Sequence, residues 1–312
     1  MEDKNIKVVC FGEILWDNLP GGRKPGGAPM NVAYHLNQLG IISTLISKVG
    51  SDQNGEDLLK FINKKGISTE YCQTDMMYNT STVEVNIGSD HEVSYEIVSP
   101  VAWDFILPEK RMDQLVAAAD AFVFGSLAVR NPTSFKTLQS LLKASRYRVF
   151  DVNLREPHFT KETITILLQH ADLLKLNSHE LNLISSWFGN SQNERQMINM
   201  LQERFGIKEI VVTKGANGAA YYSKSEQFTI PAFKVEINDT IGSGDSFLAA
   251  FLGQKLKGQS VQDCLISAAA LGAFVASQPG ACPDYNISDL NRFISQNEFD
   301  KNSFNVDGTC DP

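Results

Sequence analysis

The sequence predicts an α/β fold, a doubly wound, mostly parallel sheet flanked by helices, with a small β-sheet set outside it as a lid. Two observations carry the main sheet. Short β-branched runs alternate with segments whose apolar residues recur at helical spacing, and each strand-like run leads into a helix-like stretch or, in one case, a glycine-rich turn. The third observation breaks that rhythm: between Thr80 and Trp103 the pattern becomes period-two, the mark of antiparallel pairing.

In chain order, Val8–Phe11 reads as a buried strand, and Val32, Leu36 and Leu39 fall on one face of a following helix that stops at Gly40. Further strands are expected at Ile42–Val49, Ala121–Phe124, Arg146–Val152, Ala171–Leu176 and Glu209–Thr213. Phe247, Leu248, Phe251 and Leu252, then Val261, Leu265, Ala269, Leu271 and Val275, make two apolar helices able to cover one face of the sheet. The period-two segment is a hairpin, Thr82–Ile87 and Glu92–Ile97, joined by Gly88-Ser89-Asp90. A hairpin with one polar face does not fit the middle of a parallel sheet, so it is placed outside with Glu13–Leu19 as a companion strand. The lid then comprises about 13–20 and 78–104 of a single domain spanning 1–312, although topology alone leaves a functionless edge hairpin equally open.

Composition narrows the function. With 43% apolar and 21% charged residues, the 312-residue chain can bury a substantial core. Its 28 basic and 36 acidic residues leave a net charge of −8, a field that repels nucleic acid and anionic membrane, so any phosphate-bearing ligand must be held locally. Five widely spaced cysteines suggest neither a disulfide framework nor a zinc ribbon. The N-terminus lacks a signal-peptide pattern, and the most apolar stretch, Ala268–Ala276, is too short to span a bilayer, so a cytoplasmic location is expected.

Three tempting motifs fail. His179-Glu180 would begin a zincin helix, but Leu183 stands where the second histidine belongs; Gly253 and Gly258 have P-loop spacing, but Gln259 replaces the lysine; and Gly242-Ser243-Gly244 meets Phe247 instead of a third glycine. The informative segment is Asp239-Thr240-Ile241-Gly242-Ser243-Gly244-Asp245, a glycine-spaced turn leading into the apolar helix that begins near Phe247. Glycines admit close backbone approach, and the free N–H groups and dipole of a first helical turn favour an anion. Asp245 would repel a phosphate but suits a general base beside an acceptor hydroxyl; taken alone, Ser243 or Asp245 reads equally as a helix cap. A second motif, Pro25-Gly26-Gly27-Ala28-Pro29-Met30-Asn31, also opens a helix, where backbone amides and Asn31 can receive a polyol, with Asp17 close by at the same sheet edge.

Gly12-Glu13 with Asp17, Gly26-Gly27-Ala28-Pro29-Met30-Asn31-Val32-Ala33, Asp151-Val152-Asn153-Leu154-Arg155, Asn177-Ser178-His179-Glu180, Thr213-Lys214-Gly215 and Asp239 to Asp245 together resemble the PfkB carbohydrate kinases, a ribokinase-like family, in order and across nearly the whole chain. The resemblance implies ATP-dependent phosphorylation of a sugar hydroxymethyl group. It implies Asp245 as base, the amides of Gly242, Ser243 and Gly244 as an anion hole, and Asp17, Gly26, Gly27 and Asn31 on the sugar. Asn177 and Glu180 are similar to the element that positions Mg2+, partly through water, and Asn177, Thr213 and Gly215 to nucleotide-side positions. Asp239 and Thr240 match the site at which many members hold K+. Within the family, Gly12-Glu13 and Pro-Gly-Gly-Ala-Pro are closest to fructokinases, which implies fructose ahead of ribose and 2-keto-3-deoxygluconate. Arg155 is expected on the phosphate side; facing the sugar, it would favour an acidic substrate. The exposed edge of the lid admits a homodimer. The rival class is a sugar- or nucleotide-binding sensor without turnover, which would need no base kept beside an anion hole.

Overall fold

The computed structural model describes residues 5–19, 22–87, 93–191 and 193–297. The chain runs β1 (Lys7–Phe11), β2 (Leu15–Leu19), β3 (Gly22–Gly26), α1 (Ala28–Gln38), β4 (Ile42–Gly50), α2 (Gln53–Lys64), β5 (Cys72–Asp75), β6 (Ser81–Ile87) and β7 (Val93–Ile97). It continues through α3 (Lys110–Ala118), β8 (Ala121–Gly125), α4 (Pro132–Ala144), β9 (Arg148–Asp151), α5 (Lys161–Leu168), β10 (Leu173–Asn177), α6 (Ser178–Ser186) and α7 (Glu194–Phe205). The last elements are β11 (Glu209–Thr213), β12 (Ala219–Tyr222), β13 (Gln227–Ile230), α8 (Ser243–Leu256), α9 (Val261–Ala276) and α10 (Ile287–Gln296).

Nine strands form the main sheet in the order β13-β12-β11-β10-β9-β8-β1-β4-β5. All neighbours from β11 to β5 are parallel, and β12 and β13 add an antiparallel edge. Strand alternation sends successive side chains to two separate cores. Val8, Cys10, Val149 and Leu173 join α1, α2, α8 and α9 on one face; Val9, Phe11, Phe150 and Leu174 join α3 to α7 on the other. The alternation of apolar runs with helical stretches thus reflects a sheet buried on both sides.

The predicted hairpin is present as β6 and β7, paired antiparallel from Val83↔Ile97 to Ile87↔Val93. Its expected turn Gly88-Ser89-Asp90, together with Glu92 and Cys310, lies outside the described residues. The companion strand is shorter than expected, Leu15–Leu19, and pairs parallel to β6. A fourth strand, β3, completes a small sheet of order β3-β2-β6-β7. Its sequence, Gly-Arg-Lys-Pro-Gly, has no strand pattern, and its register with β2, Leu15↔Gly26 to Leu19↔Gly22, shows that pairing imposes the conformation. Two further boundaries move. The strand expected at Arg146–Val152 is Arg148–Asp151, and that expected at Ala171–Leu176 starts at Leu173, because the Asp172 carboxylate accepts from the Arg148 backbone and guanidinium at the entry to β9. Cys10, Cys72, Cys264 and Cys282 are free thiols, and no helix among the described residues is long and apolar enough to cross a membrane.

Candidate active site

The predicted site residues gather at the carboxyl ends of the parallel strands, where open α/β sheets bind ligands. Helices α1 and α8 converge there and share one feature: each starts on a glycine N-cap, Gly27 and Gly242, with no side-chain cap hydrogen bond. Helices α2, α4, α5, α6, α7, α9 and α10 each have a side-chain acceptor at that position. No side chain caps the first turn of α8; its Ser243 N–H is given to the Thr240 carbonyl, and Gly244 and Asp245 keep theirs toward the helix mouth, while in α1 Pro29 has no N–H and Ala28 meets the Glu13 carboxyl. Glycine is required at both caps. A Cβ on Gly27, at φ 116°, would come within 2.3 Å of the Glu13 carbonyl oxygen, and one on Gly242, at φ 77°, within 2.5 Å of the Ala281 Cβ. The helix expected to begin near Phe247 starts earlier, at Ser243, which puts Ser243, Gly244 and Asp245 in its first turn.

Asp245 and Asn31 meet across the two helix starts. Asn31 Nδ2 donates to Asp245 Oδ2 at 2.8 Å, and the Cys282 thiol donates to Asn31 Oδ1 at 3.3 Å, fixing which face of the amide meets the carboxylate. Burial and the neighbouring Asp151 push the Asp245 carboxyl up to about 6, against Lys175, Asn31 and Arg155. Asp17, on β2, sits over Gly26: a Cβ there would come within 2.5 Å of Asp17 Oδ2, so the missing side chain makes the carboxylate's place. Burial raises Asp17 to about 6, opposed chiefly by Arg155.

Arg155 follows β9 through Asn153, a non-glycine residue at φ 38°. It is exposed, and its Nη1 donates to the Leu154 carbonyl at 3.0 Å. It acts electrostatically on Glu13, Asp17 and Asp245, the carboxyl groups around the glycine motif of α1. Since Asp245 stands in the first turn of α8 while Glu13 and Asp17 lie by the start of α1, Arg155 acts on both glycine motifs.

Asn177 and Thr213 are register partners at the ends of β10 and β11, and Gly215 follows in an exposed turn at φ 55°. Asn177 caps α6 by accepting from the Glu180 N–H at 2.9 Å, while Glu180 returns Oε2 to the Asn177 N–H at 2.8 Å and Oε1 to the Leu154 N–H at 2.9 Å. Asp239 accepts from the N–H groups of Ile241 at 3.0 Å and Gly280 at 3.2 Å, with Lys24 Nζ of β3 3.7 Å away. Thr240 lies between Asp239 and the first turn of α8, its carbonyl accepting from the Ser243 N–H.

Four groups at the site escaped the sequence reading as participants. Lys24 projects from an unforeseen strand. Cys282 and Glu13 were noted only within a loop or a motif; Glu13 is buried, its Oε2 has no hydrogen-bond partner, and burial pushes it up to about 7. Lys175 offered one signal, a lysine inside the apolar run Leu173-Leu174-Lys175-Leu176. The assembled geometry is a carboxylate held by an amide at the mouth of an uncapped helix start, with fixed cations on either side. Such an arrangement can take a proton from a hydroxyl and receive an anion within the same few residues.

The pfkB family carbohydrate kinase pattern matches residues 8–287. The chain belongs to that family. It is a sugar kinase. Among curated PfkB relatives, Fructokinase-2 of Zea mays is 28% identical over 308 residues, 89% of this chain and 91% of the relative. Fructokinase-2 of Oryza sativa subsp. japonica is 28% identical over 305 residues, 88% and 90% of the two chains. Among solved structures, fructokinase from Vibrio cholerae O395, in fructose, ADP and calcium ion bound form, superposes with a TM-score of 0.81 at 24% identity, over 94% of this chain and all of that one (100%). Aminoimidazole riboside kinase from Salmonella enterica, complexed with aminoimidazole riboside and an ATP analog, gives 0.77 at 22% identity over 92% and 99%. These likenesses establish the ribokinase-like fold for this PfkB kinase, and they span enzymes acting on different sugars.

Proposed function

We propose that this PfkB kinase, acting as one domain with the small sheet as its lid, transfers the γ-phosphoryl group of ATP to a hydroxymethyl oxygen of a ketohexose, fructose first, giving fructose 6-phosphate. The observation that carries the reading is the Asn31–Asp245 pair at the mouth of α8. Asp17, Asn31 and the amides beside Gly26 and Gly27 hold the sugar hydroxyls. Asp245 accepts the hydroxyl proton as its oxygen bonds to the γ-phosphorus and the bond from that phosphorus to the ADP oxygen breaks; ADP leaves with the electron pair. The amides of Gly242 and Gly244 face the transferring oxygens, joined by that of Ser243 when it turns from the Thr240 carbonyl, and Asn177, Thr213 and Gly215 hold the nucleotide.

The donor set fits Mg2+ bound mainly by phosphate and water. The described residues contain no cluster of three ligating side chains, and each Glu180 oxygen keeps a lone pair beyond the one given to a backbone N–H. Glu180, with Asn177, would hold the ion through water, and the ion when bound neutralises phosphate charge. Asp239 and Thr240 would hold K+: each Asp239 oxygen accepts a single N–H, and Lys24, at 3.7 Å, is too far to be a hydrogen-bond partner.

One observation favours a second reading. Arg155 acts on the acceptor-side carboxyl groups, so it could meet a sugar carboxylate, and 2-keto-3-deoxygluconate is the substrate that would use it. Coupled ADP release against fructose, ribose and 2-keto-3-deoxygluconate decides between them. Fructose should lead in kcat/KM by at least about tenfold. A lead for 2-keto-3-deoxygluconate that disappears in Arg155→Met would move the assignment to the acidic sugar, and no ADP release with any sugar would favour the non-catalytic sensor.

A further inference from the structure

Strand β10 is buried over its first four residues, and the third of these is a lysine. Alternation directs Lys175 and Asp151 to the same face of the sheet as Leu173 and Val149, toward α8. The two are register partners across β9 and β10, and Lys175 Nζ donates to both Asp151 oxygens at 2.9 and 3.0 Å. Their side chains are only 9% and 5% exposed. A buried ion pair is weak evidence for stability, since apolar residues of like volume usually do as well, so its presence needs another explanation.

Gly244 supplies one. Its backbone is not in the left-handed region, yet a Cβ there would stand 3.1 Å from Lys175 Nζ. Glycine at this position lets the ammonium lie directly against the first turn of α8. That places a cation at the positive end of a helix dipole, a cost offset by Asp151 and, less directly, by Asp245 and Glu180, and one that an arriving polyphosphate would offset further. An ammonium has three donors, and Asp151 takes at most two. The carboxyl groups of Asp17, Asp151 and Asp245 add negative charge around the place a polyphosphate would take, and an internal cation offsets it.

We propose that Lys175 is an internal cation of the anion hole, held by Asp151 against the start of α8 so that its free donor meets the γ-phosphoryl oxygens of ATP. The proposal rests on the kinase reading above and adds a residue to it. Asp151 positions Lys175; Lys175 adds to the backbone N–H groups of Gly242, Ser243 and Gly244 a full charge that needs no reorganisation during transfer. A purely structural role for the pair, as counter-ions to each other, makes different predictions.

The test compares wild type with Lys175→Met, Asp151→Asn and the double variant Asp151→Asn/Lys175→Met, in which no buried charge is left alone. Binding of ADP and of a non-hydrolysable ATP analogue is measured by calorimetry, with kcat from coupled ADP release. The double variant should melt close to wild type and bind ADP within about threefold, yet bind the ATP analogue at least about tenfold more weakly, and its kcat should fall by about 10²-fold or more. Asp151→Asn, which keeps the ammonium, should retain most of the ATP-analogue affinity. The acid limb of kcat/KM supplies a second signature. Asp245 is faced by Asn31 from α1, Asp151 from β9, Lys175 from β10, and by Glu13, Arg155 and Cys282; removing Lys175 should move the limb up and removing Asp151 should move it down. A double variant with kcat and ATP-analogue affinity within threefold of wild type would overturn the proposal while leaving the kinase reading intact. If wild type turns over no sugar, the kinase reading fails separately, and the difference between ADP and ATP-analogue binding still decides the role of Lys175.

Discussion

Asp245 and Glu13 are both pushed toward neutrality by burial, but they differ in partners. Asp245 has Asn31 on one oxygen and rises to about 6, so it is largely ionised at neutral pH and available as a base. The acid limb of kcat/KM should therefore fall near pH 6 in wild type. Glu13 rises to about 7 with one oxygen unpartnered. A carboxyl whose folded pKa is raised binds more protons folded than unfolded, so its contribution to stability is full below about 4.5 and is lost as pH climbs through about 7. Glu13→Gln, a mimic of the neutral form, should raise stability at pH 8 by roughly 1–3 kcal/mol and change little at pH 4.5, as denaturant melts at the two pH values would show. Equal effects at both pH values would mean that Glu13 is not held neutral. At this scale the sequence was legible where chemistry is announced by neighbours in the chain: Asp245 beside its glycines, Asn31 beside its own. Lys175 and Cys282 were not, because their partners Asp151 and Asn31 lie 24 and 251 residues away and no local spacing encodes the meeting.

Two elements carry the rest of the proposed function. The small sheet supplies Asp17 from β2 and Lys24 from β3, and Lys24 Nζ lies 3.7 Å from the Asp239 carboxylate, joining the sheet to the loop before α8. Closure of this sheet over bound sugar should slow amide exchange across 82–87 and 93–97 when fructose and a non-hydrolysable ATP analogue are both present; exchange indifferent to the ligands would make the sheet decoration. Rates in potassium should exceed those in sodium at equal ionic strength, and Lys24→Met, which removes a competing cation, should lower the potassium concentration needed for half-maximal stimulation. Identical rates in the two salts would remove the monovalent ion from the account. The main strands were legible because β1, β8 and β11 are built on apolar runs, buried on both faces. β3 was not, since a strand made of two glycines, a proline and two cations exists only because β2 is there to pair with it.

Over the whole molecule a net charge of −8 coexists with a site that must accept a polyphosphate. The fold resolves this locally, by bringing two uncapped helix starts to one end of the parallel sheet and placing Lys24, Arg155 and Lys175 around them. The small sheet presents β3 and β7 as its edges, and we propose that one of them pairs two copies; light scattering on the purified chain should then give a mass near twice that of the monomer, and a monomeric mass at micromolar concentration would remove the dimer. The most direct measurement of the central claim is single-turnover phosphoryl transfer from ATP to fructose in wild type and Asp245→Asn, alongside nucleotide affinity. The variant should bind nucleotide normally and transfer about 10²–10⁴-fold more slowly or worse. Transfer at a near-normal rate without the Asp245 carboxylate would contradict it.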